Sequence, residues 1–166
     1  MARPRIFISS TYYDLRYVRN DLERFISQLG YEPVLNERGN IPYGRSEKLE
    51  QYCYREISSC DIVVHIVGGR LGSGSEQGAY SISQMELKTA HELHKQVYVF
   101  VENPVYVEYG TYLRNENNPS FVPQYVNDVQ IYKFLKEVYN YPVNNVISSF
   151  ESVNDIIHFL REQWAG

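Results

Sequence analysis

Residues 61–90, DIVVHIVGGRLGSGSEQGAYSISQMELKTA, decide the fold of this chain. The segment opens with an apolar run at 62–67 that does not alternate with polar positions, a pattern typical of a parallel strand covered on both faces. A loop rich in glycine and serine follows, and a helix is predicted to begin at Ser83 and to carry Glu86 in its first turn. A buried strand that leads through a glycine loop into a helix is where open α/β folds place their ligand sites.

The rest of the chain repeats this alternation of strand and helix. Strands are predicted at 5–9, 31–35, 61–67, 97–101 and 146–150, and helices from Ser10 or Thr11 to Gly30, from Ser46, at 83–95, at 128–139 and from Ser152. Right-handed crossovers between such strands give a parallel sheet between two layers of helices. We therefore expect residues 1–166 to form a single α/β domain, a flavodoxin-like three-layer sandwich whose five-stranded, mostly parallel sheet has the order 2-1-3-4-5.

The segment 103–127 interrupts this pattern. It contains three prolines, two adjacent asparagines and several tyrosines, and it shows no clear periodicity. Connections of this length are uncommon unless they form a lid, a binding loop or an insertion. We expect an irregular insertion at 103–127.

Composition argues against several classes of protein. The formal net charge of −4 over 166 residues gives no electrostatic basis for binding nucleic acid or a membrane surface. The N-terminus lacks the apolar core of a signal peptide, and no segment is long enough to form a transmembrane helix. We therefore expect a cytoplasmic protein that binds neither nucleic acid nor a membrane.

The sequence offers no convincing metal ligands. Cys53 and Cys60 are the only cysteines, and their separation matches no zinc or redox spacing, so we expect both to be reduced structural residues on and after a helix. His91 and His94 have H-x-x-H spacing, but no nearby carboxylate or cysteine completes a metal set. We expect these histidines on a solvated helix face and no metal site.

The loops that follow the strands are the candidate ligand site. In a doubly wound sheet they share one edge, so residues 9–11, 36–43, 68–83 and Glu102 are expected to converge, with a crevice between the first and third strands. The glycines at 68, 69, 72 and 74 either let backbone amides approach phosphates or simply turn the chain, because no GK[ST] or GxGxxG pattern accompanies them. Ser9, Ser10 and Thr11 likewise either bind ribose or phosphate, or cap the first helix.

Glu86 has two interpretations. Ser83 and Glu86 form the S-x-x-E pattern of a capping box, in which the glutamate returns to the Ser83 backbone N–H. The alternative is a catalytic carboxylate, because a helix start at the ligand edge keeps a carboxylate ionised. An ionised carboxylate suits cleavage of an N-glycosidic bond through an oxocarbenium-like state. Nicotinamide leaves NAD as a neutral base, so one carboxylate suffices for this reaction.

The sequence resembles the TIR-like superfamily. The start PRIFISSTYYDLRYVRNDLERFISQLGY, with its ISSTYYDLRYVR phrase, is similar to a TIR-related domain of unknown function found at the N-termini of NACHT-type and other STAND ATPases. ERGNIPYG resembles the BB loop of TIR domains, CDIVVHIVG their third strand, S.S..EL..A the segment that carries their glutamate, and FESVNDIIHFLREQW the end of the family. The resemblance implies a TIR-like fold.

The resemblance also implies an activity and a set of residues for it. Enzymatic TIR domains cleave NAD, and by position their catalytic glutamate corresponds to Glu86. The nucleotide pocket would be lined by residues in three segments: Ser9, Ser10 and Thr11, then Arg38, then the loop that contains Gly68, Gly69, Tyr80 and Ser83. NAD is then the substrate, and no cofactor is required.

The resemblance leaves three functions open. The first is a bacterial antiphage enzyme that depletes NAD or makes an ADP-ribose-derived signal, working through self-association or with a partner such as a STAND ATPase. The second is a non-enzymatic interaction module, in which the BB-like loop and the 103–127 segment mediate association. The third is a relative of the nucleoside deoxyribosyltransferases, which use a glutamate nucleophile in a similar sheet.

Overall fold

The computed structural model describes residues 3–35, 49–75, 78–144 and 146–165, and within these ranges the chain alternates strands and helices. The elements are β1 (Arg5–Ser9), α1 (Arg16–Gln28), β2 (Glu32–Val34), α2 (Leu49–Ser58), β3 (Ile62–Val67), α3 (Ile82–Glu92), β4 (Gln96–Glu102), α4 (Asn103–Leu113), α5 (Gln130–Tyr139), β5 (Ile147–Phe150) and α6 (Val153–Trp164). The strands form one five-stranded sheet in the order β2-β1-β3-β4-β5. Every neighbouring pair is parallel, so the predicted fold class and strand order are confirmed.

Both faces of the sheet are buried. Successive residues of a strand point to opposite faces, so the strands contribute side chains to two separate hydrophobic clusters. On one face, Val63 and Val99 pack with Ile57 of α2, Leu87 of α3 and residues of α4 and α5. The opposite face is covered by α1 and α6, and its buried residues are Ile6, Ile8, Leu15, Leu22, Phe25, Ile26, Leu35, Val64, Ile66, Tyr98, Phe100, Phe150, Ile156 and Leu160. The result is the predicted three-layer sandwich.

Two of the sequence-based expectations about local features hold. Cys53 in α2 and Cys60 after it are both buried and unbonded to one another. Ser152 is the N-cap of α6, where the Asp155 carboxylate accepts the Ser152 backbone N–H at 3.2 Å. No helix within the described ranges is long and apolar enough to cross a membrane.

The expectation of an irregular segment over all of 103–127 is wrong for its first half, which forms α4. Pro104 lies in the first turn of this helix, where the missing N–H has no helical partner to lose. Val105, Tyr109 and Tyr112 are buried at helical spacing, so the tyrosines supply the apolar face of the helix. Sequence analysis missed this pattern because proline is also common in loops and tyrosine carries a polar tip.

The second half of that segment is held against the rest of the protein. The Glu108 carboxylate on α4 accepts the backbone N–H groups of Gln124 at 2.7 Å and Tyr125 at 3.0 Å. The Tyr132 hydroxyl on α5 donates to the same carboxylate at 2.6 Å. These bonds lower the pKa of Glu108 although burial acts in the opposite direction. The segment therefore has a fixed path that ends next to the loop between β3 and α3, the glycine-rich loop, whose described residues are 68–75 and 78–81.

The first helix begins later than predicted. α1 starts at Arg16 with Leu15 as its N-cap, so neither Ser10 nor Thr11 caps it. The Thr11 hydroxyl instead donates to the Asp14 carboxylate, and the Ser10 hydroxyl donates to the Thr11 carbonyl oxygen at 2.8 Å. These local bonds hold residues 10–15 as a turn, because short hydroxyl side chains compete with helix formation. The turn brings its polar side chains to the carboxyl edge of the sheet.

Candidate active site

A cavity of about 430 Å³ opens at the carboxyl edge of the sheet, next to β1, where the strand order reverses. This is the position at which open α/β folds bind their ligands. Its wall is formed by the end of β1 and the turn after it, by α1, by the glycine-rich loop and by the start of α3. The lining residues are Phe7, Ile8, Ser10, Thr11, Tyr12, Tyr13, Asp14, Arg19, Arg70, Leu71, Gly72, Ser73, Ile82, Ser83, Glu86 and Asn127.

Glu86 is the buried carboxylate of this cavity, with a residue exposure of only 5%. It lies in the second turn of α3, and its Oε1 accepts the Ser9 hydroxyl at 2.8 Å. A buried carboxylate is strongly disfavoured unless hydrogen bonds satisfy it. The Ser9 hydroxyl from β1 therefore holds the carboxylate at the cavity wall.

The interpretation of Ser83 and Glu86 as a capping box is wrong. The N-cap of α3 is Ser81, whose Oγ accepts the backbone N–H of Gln84 at 3.2 Å. The Gln84 side chain returns to the Ser81 backbone N–H at 3.1 Å and completes the box. The capping box leaves Glu86 two residues further into the helix than predicted, so the cap does not account for this glutamate.

His65 lies behind Ser9 and was missed by sequence analysis. Ser9 and His65 are paired residues of β1 and β3, so their side chains lie next to each other on the same face of the sheet. The Ser9 Oγ is 2.9 Å from His65 Nδ1 and 3.3 Å from the Ser83 carbonyl oxygen. Burial of the imidazole, with a smaller effect of His91, lowers the pKa of His65 to about 3, so the ring is neutral. The signal was a single polar residue inside an otherwise apolar strand.

Two arginines supply positive charge to the cavity. Arg19 is 3% exposed, and its guanidinium donates to the Ser10 carbonyl oxygen at 3.2 Å and to the Ser10 Oγ at 2.8 Å. Arg70 is exposed and lines the cavity from the glycine-rich loop. Sequence analysis missed both residues. The signal for Arg19 was its place on the apolar stripe of α1, between Leu15 and Leu22.

Two tyrosines stand in the wall of the same cavity and expose their rings. Tyr12 and Tyr13 are 43% and 80% exposed, and their rings meet edge to face with centroids 5.2 Å apart. Exposed aromatic rings beside a polar cavity provide faces on which a planar base can stack.

The described part of the glycine-rich loop is held by contacts of its middle and of its C-terminal end. Ile82 N–H donates to the Ser73 carbonyl oxygen at 2.9 Å, and the Ser75 hydroxyl donates to the buried Glu50 carboxylate at 2.7 Å. Gly72 has φ +80, and a Cβ added to it would lie 2.7 Å from Thr11 Cγ2. This glycine therefore lets the loop approach the turn after β1 and close one side of the cavity.

The structure brings together only part of the predicted binding set. Ser10, Thr11, Ser83 and Glu86 line the cavity, whereas Ser9, Gly68, Gly69 and Tyr80 lie outside its wall. Arg38 and the BB-like loop at 37–44 lie outside the described residues.

The four predicted residues outside the wall have other partners. The Ser9 hydroxyl donates to the Glu86 carboxylate without itself lining the cavity. A Cβ at Gly68 would lie 3.0 Å from the Asp14 carboxylate, and the Gly69 carbonyl oxygen accepts the Asn127 backbone N–H at 2.8 Å. The Tyr80 hydroxyl donates to the Glu137 carboxylate of α5 at 2.8 Å. The first two glycines of the loop thus pack against neighbouring segments.

The described residues contain no cluster of histidine, cysteine, aspartate and glutamate that could hold a metal ion. The prediction that His91 lies on a solvated face is wrong, because its ring packs on Tyr141 with centroids 4.1 Å apart and burial lowers its pKa. His94 is exposed, as predicted.

Fold and cavity together define an α/β protein of the flavodoxin-like class with a buried carboxylate at the strand-order reversal. The chain belongs to the family described as Domain of unknown function (DUF4062), which matches residues 5–165. No curated protein matches the chain.

Solved structures with TM-scores above 0.5 share the fold at low sequence identity. The CMP N-glycosidase BcmB from Clostridium botulinum is 13% identical with a TM-score of 0.56, over 96% of this chain and 98% of that one. The TIR domains of the activated Roq1 resistosome, which recognises the pathogen effector XopQ, are 11% identical with a TM-score of 0.54, over 96% and 98%. A 2-deoxyribosyltransferase from Bacillus psychrosaccharolyticus is 16% identical with a TM-score of 0.46, over 92% and 90%.

Proposed function

We propose that this protein cleaves the N-glycosidic bond of NAD, with Glu86 as the carboxylate that acts on the ribosyl carbon. The observation that carries the proposal is the position of Glu86, which is buried, held by the Ser9 hydroxyl at 2.8 Å and part of the wall of a 430 Å³ cavity. A carboxylate in such a place is costly to bury, so a functional role accounts for it better than a stabilising one.

The reaction needs only one carboxylate. The bond between ribose C1′ and the nicotinamide nitrogen breaks, and its electron pair neutralises the pyridinium, so the leaving group needs no acid. Glu86 stabilises the ribosyl cation or forms an ester with it. Water then adds to C1′ and loses a proton, which gives ADP-ribose, nicotinamide and H⁺. If a group of the same molecule replaces water, the product is a cyclic ADP-ribose derivative.

Other features of the cavity support a nucleotide substrate. Arg19 and Arg70 carry the charge that phosphate oxygens require, and arginine binds such oxygens through paired N–H donors. The exposed rings of Tyr12 and Tyr13 offer a stacking face for a base. The fold shared with a CMP N-glycosidase makes a pyrimidine 5′-monophosphate the second candidate substrate for the same bond cleavage.

We place this activity in bacterial defence against phage, on the basis of the TIR resemblance. The TIR domains of the structurally similar resistosome belong to an assembly that recognises a pathogen effector. By analogy, the active form is a self-associated form or a complex with a partner such as a STAND ATPase.

The test measures release of the free base. The protein, separated by size into monomeric and assembled fractions, is incubated with NAD and in parallel with CMP, and nicotinamide and cytosine are quantified by chromatography. Glu86→Gln keeps an acceptor for the Ser9 hydroxyl but removes the charge, and we expect release to fall by about 100-fold or more with unchanged melting.

Glu92→Gln is the matched control, because Glu92 is exposed at the end of the same helix, and this variant should keep full activity. Absence of base release from both nucleotides in every assembled fraction would refute the proposal. The non-enzymatic interaction module and the relative of the nucleoside deoxyribosyltransferases would then be the remaining functions.

A further inference from the structure

We propose that His65 and Ser9 are positioning residues for Glu86: His65 Nδ1–H donates to Ser9 Oγ, and the Ser9 hydroxyl donates to the Glu86 carboxylate. The distances are 2.9 Å and 2.8 Å, so both lie in the range of good hydrogen bonds. This inference rests on the proposed function, since it assigns to both residues an effect on the reactivity of Glu86.

The direction of the chain follows from counting protons. A serine hydroxyl has one hydrogen, and the neighbouring carboxylate and Ser83 carbonyl oxygen only accept. The carboxylate oxygen is closer than the carbonyl oxygen, 2.8 Å against 3.3 Å, and it carries the charge, so it takes the hydroxyl proton. Ser9 Oγ then accepts from His65, and the neutral ring carries its single proton on Nδ1.

Neither residue belongs to the wall of the 430 Å³ cavity. Ser9 and His65 are 0% and 2% exposed, and both belong to central strands of the sheet. Hydrogen bonds between polar groups buried in this way are strengthened by the low dielectric of the interior, and they keep the side chains in one orientation. Their effect on the reaction therefore passes through Glu86, whose carboxylate they hold in place by hydrogen bonding.

The surroundings of Glu86 contain other charged and titratable groups that share in its electrostatics. These groups are Tyr54 and its partner Glu50 on α2, Arg19 on α1, Asp14 in the turn before α1, Arg70 in the glycine-rich loop, and His91 behind His65. Burial, followed by donation to Glu50, raises the pKa of Tyr54 well above its usual value, so this hydroxyl stays protonated. The Ser9–His65 pair is neutral, so its removal changes hydrogen bonding without changing the net charge.

The first experiment tests the tautomer and does not depend on turnover. The full chain is labelled with ¹⁵N-histidine, and nitrogen shifts are recorded from about pH 5 to about pH 8, the range in which an ordinary histidine titrates. His65→Asn identifies the His65 signals among the four histidines. We expect a non-titrating ring with the proton on Nδ1. A proton on Nε2, or protonation of the ring in this range, would overturn the proposal.

The second experiment uses variants of the active enzyme. Ser9→Ala should lower kcat about 10- to 100-fold with little change in KM, as expected for the loss of a hydrogen bond to a charged group. The acidic limb of its pH–rate profile should move to higher pH, because a carboxylate without its donor is protonated more easily. A merely structural role would lower melting temperature without moving that limb.

His65 provides a matched pair of variants. The side-chain amide of Asn has a donor near the position of Nδ1, so His65→Asn should keep most of the activity, whereas His65→Leu should resemble Ser9→Ala. Equal impairment of the two, or a wild-type kcat and pH profile for Ser9→Ala, would contradict the positioning role. Inactivity of the wild type on both nucleotides would instead refute the proposed function, and the tautomer measurement would still decide the hydrogen-bond chain.

Discussion

Replacement of Gly72 by alanine tests how the glycine-rich loop closes the cavity. Gly72 has φ +80, where a residue with a Cβ pays about 1 to 2 kcal/mol. The added Cβ would also lie 2.7 Å from Thr11 Cγ2, about 1 Å inside an ordinary carbon–carbon contact of about 3.5–4.0 Å. Overpacking of this kind costs about 1 to 3 kcal/mol, so the variant should lose about 2 to 5 kcal/mol of unfolding free energy.

The two contributions can be separated with two further variants. Gly30 has φ +84 but nothing within 4 Å of its Cβ position, so Gly30→Ala should show the backbone cost alone. Thr11→Ser removes Cγ2 but keeps the hydroxyl that donates to Asp14. Combined with Gly72→Ala it should restore about 1 to 3 kcal/mol, a coupling expected for residues in direct contact.

The assay is urea unfolding of the single and double variants, with thermal melting as a second measure. For a domain of this length, 1 kcal/mol corresponds to a shift in Tm of about 2–4 °C. If Gly72→Ala is no more destabilising than Gly30→Ala, or if Thr11→Ser gives no relief, the close approach of the loop to the turn after β1 is refuted. Because Gly72 and Thr11 both line the cavity, we also expect Gly72→Ala to raise KM for the nucleotide.

Two further predictions concern charged groups near the cavity. Arg19→Met should raise KM for NAD about 10-fold or more, with a smaller change in kcat, as measured by steady-state kinetics. The control is Arg24→Met, because Arg24 is an exposed arginine of the same helix and its loss should leave KM unchanged. Burial and then Asp14 raise the pKa of Glu102, so folding takes up protons and the native state loses stability as pH rises through the pKa of the folded protein. Glu102→Gln should therefore raise Tm at pH 7 and lose this gain as pH falls towards about 4.5, and an equal gain at both pH values would contradict this.

Much of the fold could be predicted because its signals are local. The apolar run of β3 and the amphipathic face of α1 are readable in single windows of sequence, and parallel strands with right-handed crossovers leave few topologies. α4 could not be read in this way, because Tyr109 and Tyr112 form its buried face and Pro104 precedes them. Tyrosine is ambiguous in sequence, since it buries a large ring and keeps a polar tip, and only packing against α5 decides which part matters.

The candidate site shows where local patterns stop being sufficient. Ser81-x-x-Gln84 and Ser83-x-x-Glu86 are overlapping capping patterns, and the sequence of the helix does not choose between them. The choice is made by a contact outside the helix: Ile82 N–H bonds to the Ser73 carbonyl oxygen, and α3 begins at Ile82.

The two-residue difference between the predicted and the observed N-cap of α3 changes the interpretation of Glu86. A glutamate in the first turn would have returned to the Ser83 backbone N–H, but two residues further into the helix its carboxylate accepts the hydroxyl of Ser9, which lies 77 residues away in sequence. Ser9 in turn meets His65 because their strands are neighbours in register. Contacts of this range follow from topology and register, so sequence analysis could identify Glu86 as a candidate but could not identify the residues that hold it.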